Sequence, residues 1–214
     1  MRKQLIALAA IAAATLPQIA AAQDTGNWLV RGRAAHLQSA NTNSADLKTT
    51  LTSVVGSPVE ASINDKWIPE LDISYFFTPN IAAELILTYP QKQTLSVGGG
   101  KIGSFKHLPP TLTAQYHFTG LEGFRPYVGV GVNYTNISDV QWESGVSALN
   151  LNLKRNSYGL AAQVGVDVPV GGGWLLNFDV KKVQIKTDVL SNETKIGTFK
   201  VDPLLVSVGF GKRF

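Results

Sequence analysis

Cysteine is absent from the 214 residues, which excludes a disulfide framework, a thiolate metal site, an iron–sulfur cluster and a thiol nucleophile. Charge is scarce: 16% of the chain is charged, against roughly 25% in soluble domains. The formal excess is only +4, and Arg2 and Lys3 of a removable-looking leader supply half of it. The other basic residues are scattered, with no Lys/Arg block and no aromatic-interleaved stripe, so no nucleic-acid partner is expected. Three histidines, His36, His107 and His117, are too few and too far apart for a metal triad, and no cofactor is expected. Long apolar runs are also missing. The one candidate, Leu5 to Leu16, stops at Pro17, short of the roughly 20 residues that a spanning helix needs.

That run does follow the basic Met1-Arg2-Lys3 and precede Ala20-Ala21-Ala22, the small residues of a cleavage site. Residues 1–22 therefore read as a secretory signal peptide, leaving 23–214 as the folded chain. With no apolar run long enough for a helix, that chain enters a membrane only as a closed barrel.

Glycine, at 20 residues, and the Val, Leu, Thr and aromatic residues favour strands, and the pattern agrees. Eight segments alternate with period 2, which puts successive side chains on opposite faces. They centre on Asn27 to Leu37, Trp67 to Phe77, Ile81 to Tyr89, Thr111 to Phe118, Tyr127 to Tyr134, Tyr158 to Val168, Trp174 to Lys181 and Leu204 to Phe214. In the fifth, Val128, Val130, Val132 and Tyr134 oppose Tyr127, Gly129, Gly131 and Asn133. A soluble sandwich would put its apolar parity inward and a charged parity in water. Here the second parity is mostly Gly, Ser, Thr, Asn and Gln, which suits a narrow lumen.

Connections after the second, fourth and sixth segments are short, near Thr78-Pro79-Asn80, Thr119 to Phe124 and Pro169 to Gly173. The other four are long and polar. Trp28, Phe77, Phe118 and Trp174 mark one end of the segments, and Trp67, Tyr89, Tyr134 and Tyr158 the other, as two interfacial girdles would. The expected fold is all-β: an eight-stranded antiparallel up-and-down transmembrane β-barrel with both termini periplasmic, three periplasmic turns and four extracellular loops. Within the loops, Ser44 to Ser53 and Glu143 to Leu149 read as weak helices.

Lumen-parity charges Arg31, Arg33, Glu70, Asp72, Glu84, Asp167, Asp179, Lys181 and Arg213 are expected to pair and plug the periplasmic half, because eight strands leave an interior only wide enough for side chains. Proline lacks the N–H that closes a ladder. Pro90, Leu108, Pro109, Pro110 and Leu112, at the outer ends of adjoining segments, therefore mark a candidate lateral opening.

Other motifs fail on their own terms. Gly98-Gly99-Gly100-Lys101 has Leu95 where a phosphate loop needs its first glycine and Ile102 where it needs Ser or Thr, and reads as a flexible loop tip. Gly129-x-Gly131 has Tyr134 where a dinucleotide fingerprint has its third glycine. A lipid-modifying barrel enzyme needs a nucleophile beside a base; His36 has only Gln38 two residues away, so no enzyme is expected. The alternative to transport is a structural or adhesion barrel whose loops bind surface partners.

The stretch Phe105-Lys106-His107-Leu108-Pro109-Pro110-Thr111-Leu112-Thr113-Ala114-Gln115-Tyr116-His117-Phe118 resembles the outer membrane protein W family of Gram-negative bacteria. Phe124 to Tyr134, Tyr158 to Asp167 and Val201-Asp202-Pro203 through Arg213-Phe214 resemble it as well. The resemblance spans nearly all of residues 23–214 and is weakest in Gln38 to Lys66. It implies an outer-membrane barrel, among lipids and lipopolysaccharide, that passes small apolar solutes through a narrow apolar passage and releases them sideways. It also implies that a terminal aromatic, Phe214 with Phe210 beside it, is read by the barrel insertion machinery.

Overall fold

The computed structural model describes residues 26–214; the expected leader lies outside them. Eight strands close into one antiparallel barrel: β1 (Trp28–Gln38), β2 (Lys66–Phe76), β3 (Ile81–Leu87), β4 (Thr111–His117), β5 (Arg125–Trp142), β6 (Asn156–Gly171), β7 (Trp174–Val183) and β8 (Leu204–Arg213). Each pairs with its neighbour in sequence, and β8 pairs back onto β1 from Leu29↔Arg213 to Gln38↔Leu204. Closure gives every strand two partners over its central part, so no long edge faces hydrocarbon.

The outward parity is apolar and exposed. Val130 is 67% exposed, while Asn177, on the opposite parity, is 0%. No soluble protein leaves such a belt bare, and lipid is the solvent that makes it favourable. Trp28, Phe77, Phe118 and Trp174 ring the end with the short turns, and Trp67, Tyr89, Tyr134 and Tyr158 ring the other, all of them exposed. Val130→Lys should therefore cost about 2–4 kcal/mol in a bilayer. Urea unfolding in vesicles checks this, and an unchanged midpoint would invert the assignment of faces.

The inward parity is layered. At the short-turn end Leu29, Phe76, Ala82 and Leu175 form a small buried apolar floor. Above it lie the charged side chains. Above those, Ala35, Leu37, Ile68, Ala161, Val183 and Leu205 begin a second, larger apolar core. Tyr127 crosses the lumen and fits because β6 has glycine opposite it: a Cβ on Gly165 would lie 2.3 Å from the Tyr127 ring.

The long connections differ from the polar loops expected. They fold over the barrel mouth and bury Leu47, Ile63, Leu95, Phe105, Leu153, Phe199 and Val201 in the upper core. Two hairpins, Gln91–Val97 with Gly100–Leu108 and Lys186–Ser191 with Thr194–Lys200, carry strand alternation beyond the barrel. Helix α1 (Ala45–Val55) has Ser44 as its N-cap, Oγ accepting from Leu47 N, and ends at Gly56 with φ 80°. The Glu143 to Leu149 segment is a 3-10 turn, Ser144–Leu149. Gly98 and Gly99, with φ 56° and 84°, form the tight turn at the tip of the first hairpin.

Candidate functional site

Eight of the nine charged residues expected to meet in the lumen do so, in one buried layer. Arg31 is fully buried and gives Asp167 two bonds, Nε to Oδ1 at 3.1 Å and Nη2 to Oδ2 at 2.6 Å. Its Nη1 donates to Glu84 Oε2 at 2.6 Å and to Ser74 Oγ at 2.9 Å. Arg33, two residues along the same face, is surrounded by acids. Its Nε lies 3.0 Å from Asp72 Oδ2 and its Nη1 3.2 Å from Glu70 Oε1, while Glu84 and Asp179 are each 3.6 Å away. Lys181 Nζ donates to Glu70 Oε1 at 2.9 Å. Neutral groups bridge the rest: Tyr127 donates to Asp179 at 2.8 Å, Gln163 to Glu84 at 3.2 Å and Asn177 to Asp167 at 2.8 Å. Five carboxylates thus share three cations. Dry burial of charge is tolerated only with this density of partners.

Arg213 lies apart, at the short-turn end. Its guanidinium stacks over Phe76 at 3.9 Å and Nε donates to the Gly26 carbonyl. His117 is a lumen histidine bonded to Gln115 Oε1 at 3.0 Å, with Phe76 and Tyr127 on either side. Phe210 and Phe214 face outward, both more than half exposed.

Glu70 and Lys181 form the upper rim of the charged layer and the base of a cavity of about 20 Å³, otherwise lined mainly by Leu37, Ile68, Ile86, Val183 and Leu205. That is room for one water. His107 closes it from above, where burial, reinforced by Lys66, pushes the imidazole down to about 4. A second cavity of about 70 Å³ lies beneath α1, lined by apolar groups that include Leu47, Leu51, Phe105, Trp142 and Phe199. Two mainly apolar cavities therefore sit above a buried layer of paired charge.

The wall beside the lower cavity is incomplete. The β2–β3 ladder stops at Leu71↔Leu87, whereas β2 continues to Lys66 paired only with β1. Across this seam Thr88 Oγ1 donates to the Pro69 carbonyl at 2.8 Å, Lys66 Nζ to the Lys92 carbonyl at 3.1 Å, and Thr94 N to Asn64 Oδ1 at 2.8 Å. Pro69 is at home here, since proline belongs where no partner strand needs its N–H.

The prolines singled out in the sequence sit beside the seam. Pro90 and Leu108 to Pro110 lie where the first hairpin leaves the wall, between the pairs Ile86↔Thr111 and Gln91↔His107. Toward β5 this kink is closed: Tyr134 N donates to the Pro110 carbonyl, and Asn133 Nδ2 to the carbonyls of Pro109 and Pro110. Leu112 lies in an intact ladder on both sides, opposite Leu85 and Val132. Neither proline donates, but their carbonyls accept from Asn133 and Tyr134, so the strands stay joined on this side. Pro69, unremarked in the sequence, marks the unpaired edge.

The OmpW family profile matches residues 24–214. An uncharacterized outer-membrane protein of Sinorhizobium fredii is 38% identical over 217 residues, covering 96% of this chain and 90% of the relative. Outer membrane protein W of Vibrio cholerae is 31% identical over 229 residues, 100% of both chains. The dibenzothiophene metabolism operon protein PahQ of Pseudomonas aeruginosa is 33% identical over 119 residues, 54% of each. Among solved structures, that of the outer membrane protein OprG from Pseudomonas aeruginosa is similar with a TM-score of 0.68 at 26% identity, covering 88% of this chain and 96% of that one.

Proposed function

This chain belongs to the OmpW family of outer-membrane barrels, and from that premise we propose that it takes up small apolar molecules passively and releases them sideways into the membrane. In this reading the short turns and both ends of the barrel face the periplasm and the folded hairpins face outward. The observation that carries it is the change along the inward parity, from charged below Glu70 and Lys181 to apolar above them, at the height where the β2–β3 ladder ends. An apolar solute gains by leaving water for the upper core, at about 25 cal/mol per Å² buried. It finds no comparable path through paired charge. The seam held by Thr88 and Lys66 is the exit, next to Pro90, Leu108, Pro109 and Pro110. The relative named for dibenzothiophene metabolism supports an apolar aromatic as the class of solute.

The cavities are smaller than such a solute, so passage requires the hairpins and α1 to part. The test compares uptake into proteoliposomes of an aromatic hydrocarbon and of glycerol. The expected result is acceleration of the hydrocarbon alone, with low ion conductance. Rapid glycerol flux with high conductance would instead mean an axial aqueous pore.

A further inference from the structure

The outer surface of the hairpin between β7 and β8 collects lysines without counter-charge. Lys182, Lys186 and Lys200 are all exposed. Lys186 and Lys200 are direct cross-strand partners, an arrangement of like charges that weakens a sheet unless an anion relieves it. Two carboxylates are near, and both are engaged. Asp188, on the same face, bonds Lys195 at 2.8 Å and lies 3.9 Å from Lys154; the Lys195 hydrogen bond holds its carboxyl below the usual range. Asp202 is half-buried and accepts from Ile185 N through Oδ1, and its carbonyl takes the Lys182 ammonium. Among the described residues none of the three lysines forms an ion pair.

The other hairpin shows what relief looks like. Lys92 and Lys106 are also cross-strand partners, but Asp139 sits against Lys106 at 2.9 Å, and that hydrogen bond lowers its carboxyl. One like-charged pair carries its own anion, and the other is left open.

Height decides what fills it. Lys186 N donates to Ser157 Oγ, which places Lys186 level with Tyr158 in the outer aromatic girdle, where headgroups lie. Lys182 is two residues beyond Val180 on the lipid-facing parity, and pairs across with Leu204; its ammonium reaches upward along an apolar wall. Directly below Lys182 are exposed Val180 and Val206, while exposed Leu160, whose carbonyl accepts from Gln184 N, lies between the levels of Lys182 and Lys186. A ligand matching this surface has anionic groups at headgroup level and acyl chains beneath.

We propose that Lys182, Lys186 and Lys200 dock the phosphate groups of an outer-leaflet phosphoglycolipid whose acyl chains lie on Val180 and Val206. The inference rests on the reading that this end of the barrel faces outward, and its test needs no transported solute, so a failure of uptake leaves it standing.

Native mass spectrometry of the detergent-folded protein, titrated with diphosphoryl lipid A, with its dephosphorylated form and with inorganic phosphate, reads the site directly. Each lysine facing an anionic surface is worth about fivefold, so K182Q/K186Q/K200Q should bind diphosphoryl lipid A roughly a hundredfold more weakly. The control K48Q/K101Q, at lysines paired with Glu60 and Glu143, should bind as the parent does. Cold-SDS gel mobility confirms that the variants are folded. Equal affinity of parent and triple variant would overturn the proposal, as would undiminished binding of the dephosphorylated lipid. Inorganic phosphate binding as tightly as the lipid would reduce the site to an adventitious anion contact and overturn it too.

Discussion

Replacing Arg31 with Met should destabilise the barrel by about 3–5 kcal/mol, the cost of removing one partner from a buried ion pair. Arg31 holds Glu84 and Asp167 at 2.6 Å each with no exposure to solvent. Without it five carboxylates face only Arg33 and Lys181. Met fills much of the volume but neutralises nothing, so Glu84 and Asp167 must take up protons or admit water. The companion variant R31M/E84Q/D167N removes the charges together and should recover most of the loss, because a neutral, packed substitute for a buried triad is often as stable as the triad. Urea unfolding in vesicles measures both, and planar-bilayer conductance shows whether the single variant lets ions through. A single variant as stable as the parent would mean that these charges are solvated in the membrane and seal nothing.

The barrel was legible because lipid exposes what water would hide. Val128, Val130 and Val132 alternating with Gly129, Gly131 and Asn133 carry the period on their own, and glycine beside Tyr127 signals a crowded interior. The even number of segments placed both termini at one end of the strands, the end that carries the short connections. The outer hairpins were misread as polar loops because their outward residues are Lys92, Lys106, Lys186 and Lys200. The apolar partners Leu95, Phe105 and Phe199 fall on the alternate positions, so period 2 continued past the girdle. What made them a core was contact between segments far apart in sequence, such as Leu47 against Gly197, which no local pattern announces. The charged layer was legible as a set of residues on one parity, though not in its pairing: Arg213 shares that parity and stands elsewhere.

Register hid the seam as well. Whether a proline opens a wall depends on what lies opposite, and Asn133 closes one case while the early end of β3 leaves the other open. Pro69 therefore carries the strongest test of lateral release. The chain has no cysteine, so Lys66→Cys with Lys92→Cys provides a unique pair across the seam, where the Lys66 ammonium already reaches the Lys92 carbonyl. Bridging the two thiols with a short bis-methanethiosulfonate should block release of an aromatic hydrocarbon into the bilayer, since about 1.4 kcal/mol added to the exit barrier already slows it tenfold. Reduction of the bridge should restore the rate, which separates the block from misfolding. The same bridge between Cys residues at Leu85 and Leu112, opposite each other in an intact ladder, should leave uptake unchanged, because those strands never part. If the seam bridge leaves hydrocarbon uptake at the parent rate, the solute does not cross the wall there, and an axial route past Arg31 and Arg33 becomes the one to test.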